Sequence, residues 1–197
     1  MGKIRMTPDR SLKMMQFSVL IALTVVLQLL CSVMTIGTVT ITLSLVPVVI
    51  GAALYGAGAG AWLGFIFGLV VLVSGDAAAF LSVNALGTIL TVFLKGALAG
   101  LLAGLVYKAL EDKNRTLAVI AAAVVCPVVN TGIFLLGCNF FFMETIIGWG
   151  EAMGYADVGS YILYGLIGGN FLFELLFNVV LSPVVVRLIR IGKKEVE

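Results

Sequence analysis

Ile41-Thr42-Leu43-Ser44-Leu45-Val46-Pro47-Val48-Val49-Ile50-Gly51-Ala52-Ala53-Leu54-Tyr55-Gly56-Ala57-Gly58-Ala59-Gly60-Ala61-Trp62-Leu63-Gly64-Phe65-Ile66-Phe67-Gly68-Leu69-Val70-Val71-Leu72-Val73-Ser74-Gly75 contains no charged residue. As one helix it would be roughly 52 Å long at 1.5 Å per residue. A bilayer core is about 30 Å thick, so the stretch must fold back on itself. The run Gly56–Gly60 is the natural turn, and Pro47 bends the shorter first leg. The solvent around such a chain is lipid. The 197 residues are 61% apolar with a mean hydropathy of +1.19, more apolar surface than a soluble core of this size conceals.

Working outward from that stretch, about 20 apolar residues per crossing divide the chain into six spans. Their expected limits are 12–34, 41–55, 58–74, 84–107, 116–138 and 161–188. The expected fold class is therefore an all-α integral membrane protein, a six-helix bundle forming a single domain over residues 1–197. Eleven of the twelve Lys and Arg residues fall in three clusters: Lys3/Arg5/Arg10/Lys13, Lys108/Lys113/Arg115 and Arg187/Arg190/Lys193/Lys194. The intervening segments 35–41, 75–83 and 139–160 carry Asp76, Glu144, Glu151 and Asp157 but no Lys or Arg. By the positive-inside rule the clusters mark the cytoplasmic side, so both termini are expected inside. An odd number of spans would place the C-terminal cluster outside.

The first span is too long for a cleaved signal peptide, and no small-residue cleavage site follows it. Cys31, Cys126 and Cys138 are dispersed without metal-ligand or disulfide spacing, and the chain has no histidine. No metal or cofactor site is expected. There is no Walker A sequence, no HExxH and no GxSxG, and no long basic tail for nucleic acid. A non-catalytic protein is expected.

Two patterns lie within the spans. Gly56, Gly60, Gly64 and Gly68 recur every four residues, as do Gly96, Gly100 and Gly104. Such faces let helix backbones approach closely, and packing within the chain is the favoured reading. The second pattern is polar. Asn84, Thr88, Thr91 and Lys95 share one helical face, and Lys95 is the twelfth basic residue, alone in mid-span, where a charge costs about 2.5–3.5 kcal/mol. Asn170, Glu174 and Asn178 form another stripe, and Asn130 follows Pro127. Two readings stand together: Lys95 and Glu174 as a buried structural pair, or Lys95 in an outward pocket that receives the anionic group of a ligand. Outside the fifth span, the run Phe140-Phe141-Phe142 is read as an interfacial aromatic belt or, alternatively, as a lid.

The order of these features resembles the substrate-binding S components of energy-coupling factor (ECF) transporters. The resemblance rests on Leu45-Val46-Pro47-Val48-Val49-Ile50-Gly51-Ala52, then Gly56, Gly60-Ala61, Gly64-Phe65 and Phe67-Gly68-Leu69. It implies a vitamin-binding bundle in the bacterial cytoplasmic membrane, working with a transmembrane T component and two cytoplasmic ATPases and toppling to release its cargo inside. Residues Lys95, Thr91, Thr88, Asn84, Asn130, Glu174 and Asn170 would bind the vitamin. The first loop, with Thr35, Thr38 and Thr40, would gate the pocket, and Ser18 and Ala22 would dock on the T component. The run Cys126-Pro127-Val128-Val129-Asn130-Thr131-Gly132-Ile133-Phe134 resembles the pantothenate-specific branch; folate, riboflavin and thiamin are the alternative substrates. A stand-alone permease or channel is the alternative function.

Overall fold

A computed structural model describes residues 8–33, 35–36, 39–40 and 43–196, with side chains over 11–33 and 43–189. The described chain is almost wholly helical. Helices α1 (Pro8–Val33), α3 (Ala57–Ser74), α5 (Ala85–Leu110) and α6 (Arg115–Phe141) are each long and apolar enough to cross a membrane. The stretch Val158–Ile189 is the fifth such segment. It comprises α8 (Val158–Ser160), a π-helical segment (Tyr161–Ile167) and most of α9 (Gly168–Val196). The remaining elements are shorter: α2 (Leu45–Tyr55), α4 (Ala78–Val83), α7 (Met143–Ala152), and the two-residue strands β1 (Thr35–Ile36) and β2 (Val39–Thr40), which pair antiparallel.

Five of the six expected spans correspond to segments long and apolar enough to cross a membrane, and the expected short span 41–55 corresponds to α2. Helix α2 has 11 residues, roughly 16 Å, about half a hydrocarbon core. It is nevertheless the most deeply enclosed helix, with Leu45, Val48, Val49 and Ala52 almost inaccessible. It runs antiparallel to α1: Ser44 Oγ donates to Gln28 Oε1 (2.7 Å) at one end, and Tyr55 Oη donates to Gln16 Oε1 (2.7 Å) at the other. The turn is also tighter than the glycine run implied. Gly56 alone breaks the chain, at φ 91°, and α3 resumes at Ala57. That φ is a left-handed-side value that residues with a Cβ avoid.

The expected glycine faces close on each other. Gly60 lies against the backbone of Gly100, Gly64 against Gly96, and Gly68 against the Val92 carbonyl. A Cβ at Gly64 or Gly96 would collide with the opposing backbone, so α3 and α5 depend on bare backbone to approach. In lipid, this contact supplies the association that the hydrophobic effect supplies in water. The main core surrounds the seam, joining Leu45, Val48 and Leu63 to Ala99, Ala103, Ala118, Ala122 and Ile189.

These contacts order the ends of the bundle. The α2–α3 turn lies beside Gly104, near the end of α5 that carries Lys108. Asp76 lies beside Gln28 and Ser32, toward the opposite end of α1.

Candidate functional site

Helices α3, α5, α6 and α9 enclose a cavity of about 200 Å³. Its polar lining comprises Thr88, Thr91 and Lys95 of α5, Asn130 and Thr131 of α6, Asn170 and Glu174 of α9, Gln28 of α1, and Asp76 just after α3. On α5 the three residues are spaced three and four apart, which brings them onto one face. Phe67, Phe80, Phe134, Phe142 and Phe171 form much of the apolar wall. The Lys95 ammonium sits 5.3 Å from the Phe134 ring centre and 5.8 Å from that of Phe67. Both are within cation–π range. Asp76 and Glu174 are the carboxylates that line the same cavity.

Two other groups define what the cavity can bind. Thr91 and Asn130 are each 5% exposed, and among the described residues neither Thr91 Oγ1 nor Asn130 Oδ1 has a hydrogen-bond partner. An unsatisfied buried polar atom costs about 1–3 kcal/mol. Both line the same cavity as the Lys95 side chain, where a bound molecule or water could satisfy them. Thr88 differs, because its hydroxyl donates to the Asn84 carbonyl (2.8 Å).

Asn84 stands apart from the other expected site residues. It does not line the cavity; it is the N-cap of α5, in extended backbone at φ −148°, and its side chain accepts from Gly87 N–H (2.9 Å). Its spacing from Thr88 placed it on the helical face, but the helix begins one residue later. Asn178, in the expected second stripe, lies below the cavity and donates to the Glu174 carbonyl (2.8 Å). The Phe run divides: Phe142 lines the cavity, Phe141 covers Gly87, and Phe140 is exposed.

A polar cluster on the cavity wall went unread in the sequence. Gln28 Nε2 donates to Asp76 Oδ2 (2.8 Å), joined there by the hydroxyls of Ser32 (2.5 Å) and Ser74 (2.9 Å). The signal was the stripe Leu20, Thr24, Gln28, Cys31, whose helical spacing marks the buried face of α1. Asp76 had been counted only as an outer-loop charge.

Ser18 and Ala22 lie on the opposite, exposed face of α1, with Val26 beside them. Ser18 Oγ donates to the Met14 carbonyl (2.8 Å). In the expected gating segment Thr35 pairs with Thr40 in the short ladder, and Thr38 lies outside the described residues.

A multi-pass bundle with a polar cavity among its described helices has the architecture of a membrane protein that holds a small molecule. The family model for the substrate-specific component of ECF transporters matches residues 12–186, and the chain belongs to that family. No curated protein and no solved structure matches the chain. It is a multi-pass cell-membrane protein and the substrate-binding subunit of an ECF transporter.

Proposed function

We propose that the cavity binds a small anionic vitamin, with pantothenate the best match. The observation that carries this is the Lys95 ammonium beside the two unpartnered buried acceptors, Thr91 Oγ1 and Asn130 Oδ1. Lys95 would receive the carboxylate, Thr91 and Asn130 the amide and hydroxyl groups, and Phe67 and Phe134 the gem-dimethyl group. Thr88, Asn170 and Glu174 would complete the wall. Glu174 would act as counter-ion to Lys95 until the ligand arrives. A cavity of about 200 Å³ falls below the usual 300–1,000 Å³ range for ligand pockets, which favours a compact vitamin over folate or riboflavin.

In this reading α2 completes a sixth crossing and both termini are cytoplasmic. Support comes from Lys108, Lys113 and Arg115 clustering where α5 turns into α6, at the α2–α3-turn end of the bundle. The segment Thr35–Thr42, with Thr35, Thr38 and Thr40, gates the outer mouth. Ser18 and Ala22 dock on the T component, and two cytoplasmic ATPases drive the toppling that releases the vitamin. The chain itself catalyses nothing.

The test is thermal stabilisation of the detergent-purified chain across a vitamin panel, since a ligand that binds only the folded state raises Tm. A shift with pantothenate alone is expected. A shift with thiamin alone would assign the site to a cation held by Asp76 and Glu174. No shift with any vitamin would overturn the proposal.

A further inference from the structure

The cavity has two polar ends, and only one of them is cationic. Lys95 is level with the Gly64–Gly68 segment of α3, because Gly96 packs on Gly64 and the Val92 carbonyl on Gly68. Helix α3 runs six residues past Gly68, about 9 Å along its axis, to end at Ser74, and Asp76, just beyond the Gly75 turn, also lines the cavity. Thr91, four residues before Lys95 on the same face of α5, lies on the Asp76 side of it, and its hydroxyl has no partner among the described residues.

Asp76 is fixed from three directions. Gln28 and Ser32 of α1 and Ser74 of α3 all donate to the same oxygen, Oδ2. The Gln28 amide is itself oriented: its oxygen accepts from Ser44 Oγ (2.7 Å) and its nitrogen also reaches Ser32 Oγ (3.5 Å). Among the described residues nothing donates to Oδ1. A carboxylate accepts at about four lone-pair positions, so Asp76 keeps acceptor capacity after its protein bonds are made. Its charge is also exposed at this edge of the cavity. A carboxylate held rigid by one oxygen, with the other unengaged, suits a ligand's donor group and repels a second anion.

We infer that Asp76 is a specificity-determining residue: it accepts hydrogen bonds from the hydroxyl end of a ligand whose anionic end lies at Lys95. The ligand class is thus a molecule with one anionic end and one hydrogen-bond-donor end, bound in a single orientation. This deepens the function proposed above and rests on it. Gln28, Ser32 and Ser74 are positioning residues that aim the carboxylate.

The experiment is titration calorimetry on the detergent-purified full chain. Wild type and Asp76→Asn are each titrated with pantothenate and with the same molecule whose hydroxyls are replaced by hydrogen. Wild type is expected to bind the deoxy molecule about tenfold or more weaker, the loss typical of a hydrogen bond to a charged group. Asp76→Asn is expected to lose about tenfold for pantothenate and to bind the deoxy molecule unchanged. Equal weakening of both ligands would make Asp76 a clasp between α1 and α3 and overturn the inference. So would an unchanged preference in the variant. If wild type binds neither molecule, the proposed function falls with it; if wild type binds pantothenate and the variant's preference is unaltered, this inference falls alone. Should Asp76→Asn fail to fold, Asp76→Glu, which keeps the charge but displaces it by one methylene, is read by the same ratio.

Discussion

Along α5, the face carrying Gly96 and Gly100 meets the bare backbone of α3, whereas the face carrying Thr88, Thr91 and Lys95 meets a cavity. The two faces belong to one helix and are separated by a fraction of a turn. The first has no side chains and leaves no space. The second carries long or polar side chains and leaves some of their bonding capacity unused. The difference shows how a membrane protein holds a polar site open. Backbone contact between α3 and α5 fixes α5 without consuming its polar residues, so Lys95 and Thr91 are left facing the cavity. A seam formed by interlocking leucines would be more adaptable and would let the cavity close.

The comparison can be broken most directly at the seam. Gly64→Leu forces a side chain into the Gly96 backbone and is expected to cost about 3 kcal/mol. Little folded protein should be recovered, read by size-exclusion profile and Tm in detergent. If Gly64→Leu folds normally, the seam is not what holds α5.

Lys95→Ala tests the other face. Affinity for pantothenate should fall about a hundredfold, near 3 kcal/mol, the loss typical of removing one partner of a buried charge pair. Retained affinity with reduced yield would make Lys95 structural, a partner for Glu174 and nothing more. The sharper discriminator is Thr91→Val, where the two readouts should move in opposite directions. Removing a buried hydroxyl with no protein partner should stabilise the unliganded protein by about 1 kcal/mol while weakening binding about tenfold. A loss of both would mean that the hydroxyl serves the fold.

The smallest effect is expected at Gly132, where an added Cβ meets nothing within 4 Å. Gly132→Ala should change stability by no more than about 1 kcal/mol, in the stabilising direction, read as a small rise in Tm in detergent. Set beside Gly64→Leu, it separates glycines that are required for contact from one that is not.

Much of this contrast was legible in residue order. The four-residue recurrence of Gly60, Gly64 and Gly68 announced a close helix contact, and Gly96 and Gly100 identified the matching face. The spacing of Thr88, Thr91 and Lys95 placed them together on one side of α5. Asn130 and Glu174 were singled out because polar groups in apolar spans demand partners. Asn84 keeps the same spacing whether it caps α5 or opens its first turn, and only the backbone angle separates the two. Gln28 and Asp76 are 48 residues apart in the chain, and nothing local to either foretells their meeting.

What the sequence determined by itself is therefore set by local chemistry: lipid as the solvent, the helical state, the turn at Gly56, and the chemical character of each helix face. Lipid leaves backbone groups no partner but each other, so hydropathy alone dictates most of the secondary structure. The tertiary structure alone decided that α2 is so deeply enclosed, that Asn84 caps a helix, that Phe67 and Phe134 meet Lys95, and that Gln28 and Asp76 meet on the same cavity's wall. Those outcomes depend on how closely particular helices approach and at what level they align, which is settled by steric contact between residues far apart in the chain.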